Sequence, residues 1–195
     1  MKTQFKRGIK LFSFMLTMVA VFGCHKDDHS VTPTPANLGD GAATLVDASA
    51  QETYPTTHAY AFGLGSNPGG ATTTNFVLEF ANGSSDGIYY SANTTTIISF
   101  DINSGSSGKI QAGTYALDYS NLYKPFTFST AYAHFHLEHQ PDGSLTGGDQ
   151  YETPVSGSLI LSYQGETAHL VYQLTFADGE TLAGEYTGKV KPYSV

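Results

Sequence analysis

Apolar and polar residues alternate along much of the chain beyond residue 42. Five segments carry large apolar side chains at every second position, and these residues are Phe76, Leu78 and Phe80; Ile98, Phe100 and Ile102; Tyr115, Leu117 and Tyr119; Leu159, Leu161 and Tyr163; and Leu170, Tyr172, Leu174 and Phe176. A period of two is typical of β-strands with one buried face. No window shows the sustained 3.6-residue period of an amphipathic helix. The pattern therefore predicts one all-β domain over residues 42–195, with about eight to ten antiparallel strands.

The number and spacing of these strands predict an antiparallel β-sandwich, with a lipocalin- or streptavidin-like β-barrel as the alternative. The connections around residues 63–71 and 139–155 are long and irregular in pattern, which favours the sandwich. The successive short hairpins near the C-terminus favour the barrel. The alternation alone leaves both architectures open.

The segment "HLVYQLTFADGETLAGEY" allows the register of the last hairpin to be predicted. A two-residue turn at Asp178-Gly179 would place Tyr172 opposite Glu185 and so bury a charge. A three-residue loop over residues 177–179 avoids this, and it puts glycine at the left-handed position that such loops require. The three-residue loop predicts the cross-strand pairs Leu170 with Tyr186, Tyr172 with Gly184, and Leu174 with Leu182. In that register Tyr172 would cover a strand glycine.

Residues 1–23 have the pattern of a secretory signal peptide. A basic start precedes the apolar run "LFSFMLTMVAV", which at 11 residues is shorter than the ~20 that a membrane-spanning helix needs. The run leads into Val21-Phe22-Gly23-Cys24, which resembles the lipobox of bacterial lipoproteins. The resemblance implies cleavage before Cys24 and a diacylglycerol on its sulfur, and two acyl chains make a stable membrane anchor. Residues 24–41 would then form the lipidated cysteine and a flexible tether.

The tether begins "CHKDDHS", and its paired aspartates resemble the short acidic stretch of surface-exported lipoproteins from Bacteroidota-type Gram-negative bacteria. The segment "SGSLILSYQGETAHLVYQLTFADGETLAGEYTGKV" is also similar to the closing hairpins of uncharacterised surface lipoproteins from that group. The resemblance implies lipid anchoring in the outer membrane with the domain facing the cell exterior. A periplasmic orientation is the alternative. Because the shared motifs are turns and core aromatics, they imply a fold rather than an activity.

The charge balance limits the choice of partner. The chain has nine lysines and arginines against 17 aspartates and glutamates, and four of the basic residues lie within residues 1–23. Cleavage of that segment also removes Arg7, which is the only arginine. Nucleic acids and phosphates are bound by clustered cations, which such an acidic domain lacks. We therefore expect no nucleic-acid partner.

The segment "AHFHLEH" places His134, His136 and Glu138 on one face if it forms a single strand. Neighbouring Cβ atoms on that face would lie about 7 Å apart. Two imidazoles and a carboxylate are a ligand set that suits zinc or a similar ion. The simpler interpretation is a solvent-exposed polar strip with Phe135 and Leu137 buried behind it. Since no further ligand can be assigned, we expect no cofactor, with zinc as the alternative.

Tyrosines are frequent in and beside the predicted loops, among them Tyr89, Tyr90, Tyr123, Tyr132 and Tyr151. An exposed tyrosine combines a flat apolar face with a hydrogen-bonding edge, which suits a sugar- or peptide-binding surface. The alternative is that these rings cover the ends of the hydrophobic core. Tyr123, Tyr132 and Tyr151 are the predicted ligand-binding residues.

The pattern favours binding over catalysis. There is no Gly-x-Ser-x-Gly nucleophile motif, and the single cysteine is assigned to lipid attachment. The sequence therefore predicts a lipid-anchored, non-catalytic binding module for a glycan or an extracellular polypeptide. Two alternatives are a structural or accessory subunit of a surface assembly and a metal-dependent enzyme.

Overall fold

A computed structural model of the chain describes residues 41–47, 49–67, 72–105 and 109–194. The predicted signal peptide, Cys24 and the tether up to residue 40 lie outside the described residues. Among the described residues there is no helix long and apolar enough to cross a membrane. The strands are β1 (Ala42–Val46), β2 (Gln51–Pro55), β3 (His58–Ser66), β4 (Thr74–Ala81), β5 (Ile97–Ser104), β6 (Gly113–Leu117), β7 (Thr127–Phe135), β8 (Glu138–His139), β9 (Leu145–Thr146), β10 (Asp149–Glu152), β11 (Ser156–Gln164), β12 (Thr167–Thr175), β13 (Thr181–Gly188) and β14 (Val190–Ser194).

Twelve of these strands form one mixed sheet, and β8 and β9 form a separate two-stranded sheet. The order of the large sheet is β14-β3-β4-β5-β7-β6-β11-β12-β13-β1-β2, and β10 also pairs with β7. Two neighbouring pairs are parallel, β14 with β3 and β6 with β7. The other pairs are antiparallel, as the alternating pattern predicts.

The large sheet curls into a half-barrel, and its inner face encloses the hydrophobic core. Strands that are distant in the sheet order meet there. The Phe80 ring of β4 stacks on the Tyr172 ring of β12 with centroids 5.3 Å apart, and Phe100 of β5 meets Tyr172 edge-on at the same separation. The all-β prediction is therefore confirmed. The curled sheet is compatible with both a sandwich and a barrel-like arrangement.

The predicted apolar faces of β4, β5 and β12 are buried. The buried residues of these faces are Phe76, Leu78, Phe80, Ile98, Phe100, Ile102, Leu170, Tyr172, Leu174 and Phe176. Two residues predicted to share a buried face are exposed instead, Tyr119 by 47 % and Tyr163 by 41 %. Tyr119 lies beyond the end of β6 at Leu117, and Tyr163 lies next to the end of β11. Both positions are therefore at the margin of the curled sheet rather than over its core.

The register predicted for the β12–β13 hairpin is confirmed. The observed pairs include Leu170 with Tyr186, Tyr172 with Gly184, and Leu174 with Leu182. Gly179 has a φ of +93°, as the three-residue loop requires. A Cβ atom on Gly184 would overlap the Tyr172 ring and its hydroxyl. The aromatic ring therefore occupies the space that the glycine leaves free.

The segment around residues 139–155 is not the irregular connection that its sequence predicts. It contains the β8–β9 hairpin, and β10 adds to the large sheet beside β7. Residues 63–66 likewise continue β3 instead of leaving it. These segments are turn-rich but paired through backbone hydrogen bonds, so they do not argue for a sandwich over a barrel.

Candidate functional site

A second apolar cluster lies on the outer face of β3, β4, β5 and β7, separate from the inner core. Its buried members are Tyr60, Ala81, Ile97 and Leu137, against which Phe62, Tyr90, Tyr132, Leu145 and Tyr193 pack. Leu137, which follows β7, and Tyr193 of β14 belong to it, and two further segments outside the four strands contribute. Tyr90 comes from the β4–β5 connection, residues 82–96, and Leu145 comes from the β8–β9 hairpin.

Asn82 closes the base of the β4–β5 connection. Its Oδ1 accepts hydrogen bonds from the backbone N–H groups of Thr95 and Thr96 at 2.9 and 3.1 Å. Its Nδ2 donates to Thr95 Oγ1 at 2.9 Å. The N–H of Leu137 donates to the Thr95 carbonyl at 3.0 Å, which ties this connection to the segment that follows β7. One asparagine therefore sets where the connection leaves and rejoins the sheet.

Asp86 shapes the tip of the same connection. Its Oδ1 accepts hydrogen bonds from the N–H groups of Ile88 and Tyr89, each at 2.9 Å. The hydrogen bonds from Tyr89 and Ile88 hold the pKa of Asp86 below its usual value, so the carboxylate stays ionised. This Asx turn carries Ile88 and Tyr89 outward, where their side chains are 79 % and 56 % exposed.

Two tyrosines of the sheet anchor the connection through Ser85. The Tyr60 hydroxyl accepts a hydrogen bond from the Ser85 N–H at 2.8 Å. The Tyr193 hydroxyl of β14 donates to the Ser85 carbonyl at 2.6 Å. Ser85 also forms an isolated bridge with Tyr90, which brings that ring against the outer cluster. The connection is therefore fixed to the sheet by both its backbone and its aromatic neighbours.

The β8–β9 hairpin lies opposite the tip of the β4–β5 connection. Asp142 Oδ1 accepts hydrogen bonds from Ser144 Oγ and N–H at 2.7 and 2.9 Å, and these lower the pKa of Asp142. Gly143 has a φ of +88°, which favours glycine in this turn. A Cβ atom there would lie 3.1 Å from the Tyr89 ring. The glycine therefore also lets the hairpin approach the exposed tyrosine closely.

A cleft of about 440 Å³, the tyrosine cleft, lies between these two segments. It is lined by Ile88, Tyr89, Tyr90, Ile97, Tyr132, His134, Leu137, Asp142, Gly143, Ser144 and Leu145. The walls are mainly aromatic and aliphatic, and the turn at Asp142 supplies a carboxylate and a hydroxyl. Small-ligand sites commonly have this make-up, at about 300–1,000 Å³.

His134 also lines the cleft. Its ring lies 4.9 Å from the Tyr132 ring, centroid to centroid. Its Nε2 is 3.5 Å from Glu152 Oε1 and is a buried atom with no hydrogen-bond partner among the described residues. This nitrogen therefore lies toward Glu152 of β10 and is not accessible from the cleft.

Glu79 lies under the outer cluster. The strand registers place Tyr60, Glu79, Ser99 and Tyr132 side by side on β3, β4, β5 and β7. Glu79 is 7 % exposed, and its Oε1 has no hydrogen-bond partner among the residues that the structure describes. Burial raises the pKa of Glu79 to about 7. The residue is therefore a buried carboxyl group that titrates near neutral pH.

The structure does not bring the three predicted ligand-binding tyrosines together. Tyr132 lines the tyrosine cleft. Tyr151 of β10 packs against the inner core instead, with its ring 5.8 Å from Phe135 and 5.5 Å from Phe176. Tyr123 lies in the connection between β6 and β7 with a φ of +48°. Tyr132 is therefore the one member of the predicted set with a place in the cleft.

The predicted metal ligands also point to different places, and the expectation that they share one strand face is wrong. β7 ends at Phe135, and His136 adopts a φ of +54°, which breaks the alternation. His134 lines the tyrosine cleft, whereas His136 Nδ1 lies 2.8 Å from Asp149 Oδ2 beside a separate cavity of about 150 Å³. Glu138 is exposed in β8. Among the described residues, no group of three histidine, cysteine, aspartate or glutamate side chains is placed to hold a metal ion.

Several residues of the cleft carry only a weak signal in the sequence. Tyr89 stands out as a loop tyrosine, but Asp142, Gly143 and Ser144 form an ordinary turn motif. Leu145 follows that turn without an alternating pattern around it. A signal that Tyr89 and the turn at Gly143 lie close together would have located the cleft. A single sequence does not provide one.

Comparison with known proteins does not suggest a function for this domain. A functional assignment therefore rests on the tyrosine cleft. No protein-family model, curated protein or solved structure matched the chain.

Proposed function

We propose that this chain is a lipid-anchored cell-envelope protein whose all-β domain binds glycans through the tyrosine cleft. The observation that carries the proposal is the combination of exposed aromatic walls with hydrogen-bonding groups in one cleft. Tyr89 and Tyr132 offer flat apolar faces of the kind that pack on the C–H face of a sugar ring. Asp142 and Ser144 offer partners for its hydroxyl groups.

The rigidity of the cleft supports binding over simple surface exposure of a loop. The hydrogen bonds of Asn82 and Asp86 hold the β4–β5 connection, and those of Asp142 hold the opposing turn. A site that is ordered before the ligand arrives loses less conformational entropy on binding. The exposed rim at Ile88 and Tyr89 is therefore a preformed platform.

Alanine at Tyr89 should weaken glycan binding about tenfold, because a stacked aromatic contributes up to about 1.5 kcal/mol. The measurement is isothermal titration calorimetry with ligands selected from a panel of neutral oligosaccharides. Tyr89 is 56 % exposed, so its removal should leave the fold intact. The matched control is Tyr119→Ala, which removes a comparably exposed tyrosine outside the cleft and should bind as wild type does.

Two results would contradict glycan binding at this site. One is wild-type affinity in the Tyr89→Ala variant, and the other is a domain that binds extracellular polypeptides but no member of the oligosaccharide panel. A loss of affinity in Tyr119→Ala equal to that in Tyr89→Ala would place the binding surface elsewhere.

The location of the protein is a second, separable part of the proposal. Cells grown with an alkyne-labelled fatty acid should incorporate label into the wild-type protein and not into a Cys24→Ala variant. Protease added to intact cells should then degrade the domain if it faces the exterior. Label retained by Cys24→Ala would contradict lipid attachment, and complete protection from protease would place the domain on the periplasmic side.

A further inference from the structure

A larger cavity of about 620 Å³ lies on a different part of the domain, and we call it the mouth pocket. Its lining comes from β3, β4 and β14 on one side and from the β11–β12 turn with residues 109–110 on the other. The lining residues are Ala61, Gly63, Gly65, Thr74, Phe76, Lys109, Ile110, Tyr163, Gly165, Glu166, Val190, Pro192 and Tyr193. Apart from Tyr193, which also packs against the outer cluster, none of these belongs to the tyrosine cleft or its supports.

The pocket exists because the inward-facing residues at the end of β3 are small. Ala59 is buried in the inner core, and the following positions on that face are Ala61 and Gly63. A register shift between Gly63 and Gly65 then places a second glycine at the end of the row. The opposite face of β3 carries the large residues of the segment "HAYAFGLGS". Small residues facing inward leave unfilled volume at the end of a core that is elsewhere closely packed.

The walls of the mouth pocket are mainly apolar. Phe76, Ile110 and Val190 supply aromatic and branched aliphatic surface, and Pro192 extends it along β14. The Tyr163 hydroxyl donates to the Ile110 carbonyl at 3.0 Å, so its polar edge is already satisfied and its ring faces the cavity region. The interior therefore suits an apolar chain rather than a polar molecule.

The rim of the pocket combines one lysine with a glutamate–lysine ion pair in an acidic domain. Residues 41–195 contain four lysines and no arginine, against 14 aspartates and glutamates. Lys109 and Glu166 line the pocket, and Lys189 Nζ lies 2.7 Å from Glu166 Oε2. Glu166 is thus matched by Lys189, whereas Lys109 forms no ion pair with the described residues. One uncompensated ammonium group therefore stands at the edge of an apolar cavity.

We propose that the mouth pocket binds a single-chain fatty acid, with the acyl chain against Phe76 and Val190 and the carboxylate at Lys109. The match is between an apolar interior, a volume in the range of small-ligand sites and one free cation at the opening. The site is independent of the glycan proposal, because it uses a different surface and different chemistry.

The test compares three amphiphiles with the same chain, dodecanoate, dodecanol and dodecyltrimethylammonium, below their micelle-forming concentrations. Fluorescence displacement or calorimetry on the intact domain should give the tightest binding for dodecanoate. Lys109→Met should bring the affinity for dodecanoate down to that for dodecanol. Lys109 is exposed, so this variant should fold normally. Equal affinities for the three amphiphiles, or unchanged dodecanoate binding in Lys109→Met, would overturn the proposal.

Gly63→Leu tests the interior of the pocket. A Cβ atom at Gly63 would lie 3.7 Å from the Phe76 ring, an ordinary van der Waals contact, so the leucine can enter the cavity without displacing backbone. Dodecanoate binding should fall at least tenfold while thermal unfolding stays cooperative. Tyr89→Ala, which alters only the tyrosine cleft, should bind dodecanoate as wild type does. Full binding by a folded Gly63→Leu variant would place the ligand elsewhere.

Discussion

Replacing Glu79 with glutamine should raise the free energy of unfolding by roughly 3 kcal/mol at about pH 8–9 and change it little at about pH 4. The reason is the burial of this carboxyl group, which raises its pKa from 4.5 to about 7. Below about pH 4.5 Glu79 is protonated in both the folded and the unfolded chain. Between that pH and about 7 the folded chain holds the proton and the unfolded chain releases it, so stability falls as pH rises. Glutamine removes this loss because it never ionises.

Denaturant unfolding of both proteins at a series of pH values between about 4 and 9 would measure the effect. The difference in unfolding free energy should grow through the interval between the two pKa values and then level off. Glu138→Gln removes a carboxylate from an exposed side chain and should follow the wild-type curve. A difference between wild type and Glu79→Gln that is the same at every pH would show that ionisation of Glu79 does not limit stability.

Alanine at Gly184 should destabilise the domain by about 1–3 kcal/mol, because it adds a methyl group to a position that is already filled. The added Cβ atom would overlap the ring and the hydroxyl of Tyr172. Tyr172 is 1 % exposed and stacks on Phe80 in the inner core, so it has little room to move. Urea or guanidinium unfolding of wild type and variant would give the difference.

A double-mutant cycle tests whether contact with the Tyr172 hydroxyl causes the loss of stability in Gly184→Ala. Tyr172 Oη has no hydrogen-bond partner of normal geometry among the described residues, so Tyr172→Phe should alter stability by less than about 1 kcal/mol. In the Tyr172→Phe background, Gly184→Ala should cost less, since the hydroxyl is one of the atoms it meets. Gly63→Ala is the strand control, because its Cβ atom would make only ordinary contact with Phe76. Equal costs for Gly184→Ala in both backgrounds would exclude the hydroxyl contact as the cause.

The last hairpin shows what local sequence can predict. The choice between two registers depended on whether Glu185 or Gly184 faces Tyr172, and burying a charge decides such a choice clearly. The pairing of β14 with β3 had no comparable local signal. A parallel pair between segments so distant in sequence depends on how the whole sheet curls, which period-two alternation does not specify.

The candidate site, like the fold, is predictable from the sequence only in part. The aromatic character of the cleft was evident from Tyr89, Tyr90 and Tyr132, but their grouping was not. The cleft forms where the β4–β5 connection and the β8–β9 hairpin meet, and only the folded chain brings these segments together. The histidine prediction failed at one backbone position, His136, whose positive φ ends the strand that the pattern extended.

The parallel pairing of β14 with β3 has a consequence for the order in which the domain is completed. During synthesis the N–H and C=O groups along one edge of β3 have no partner until residues 190–194 emerge, since Val190 pairs with Ala59. Ribosome-bound intermediates therefore expose an unpaired strand edge, which other chains can join. The pairing of β14 with β3 is a long-range step, so we expect it to be slower than formation of the β12–β13 hairpin.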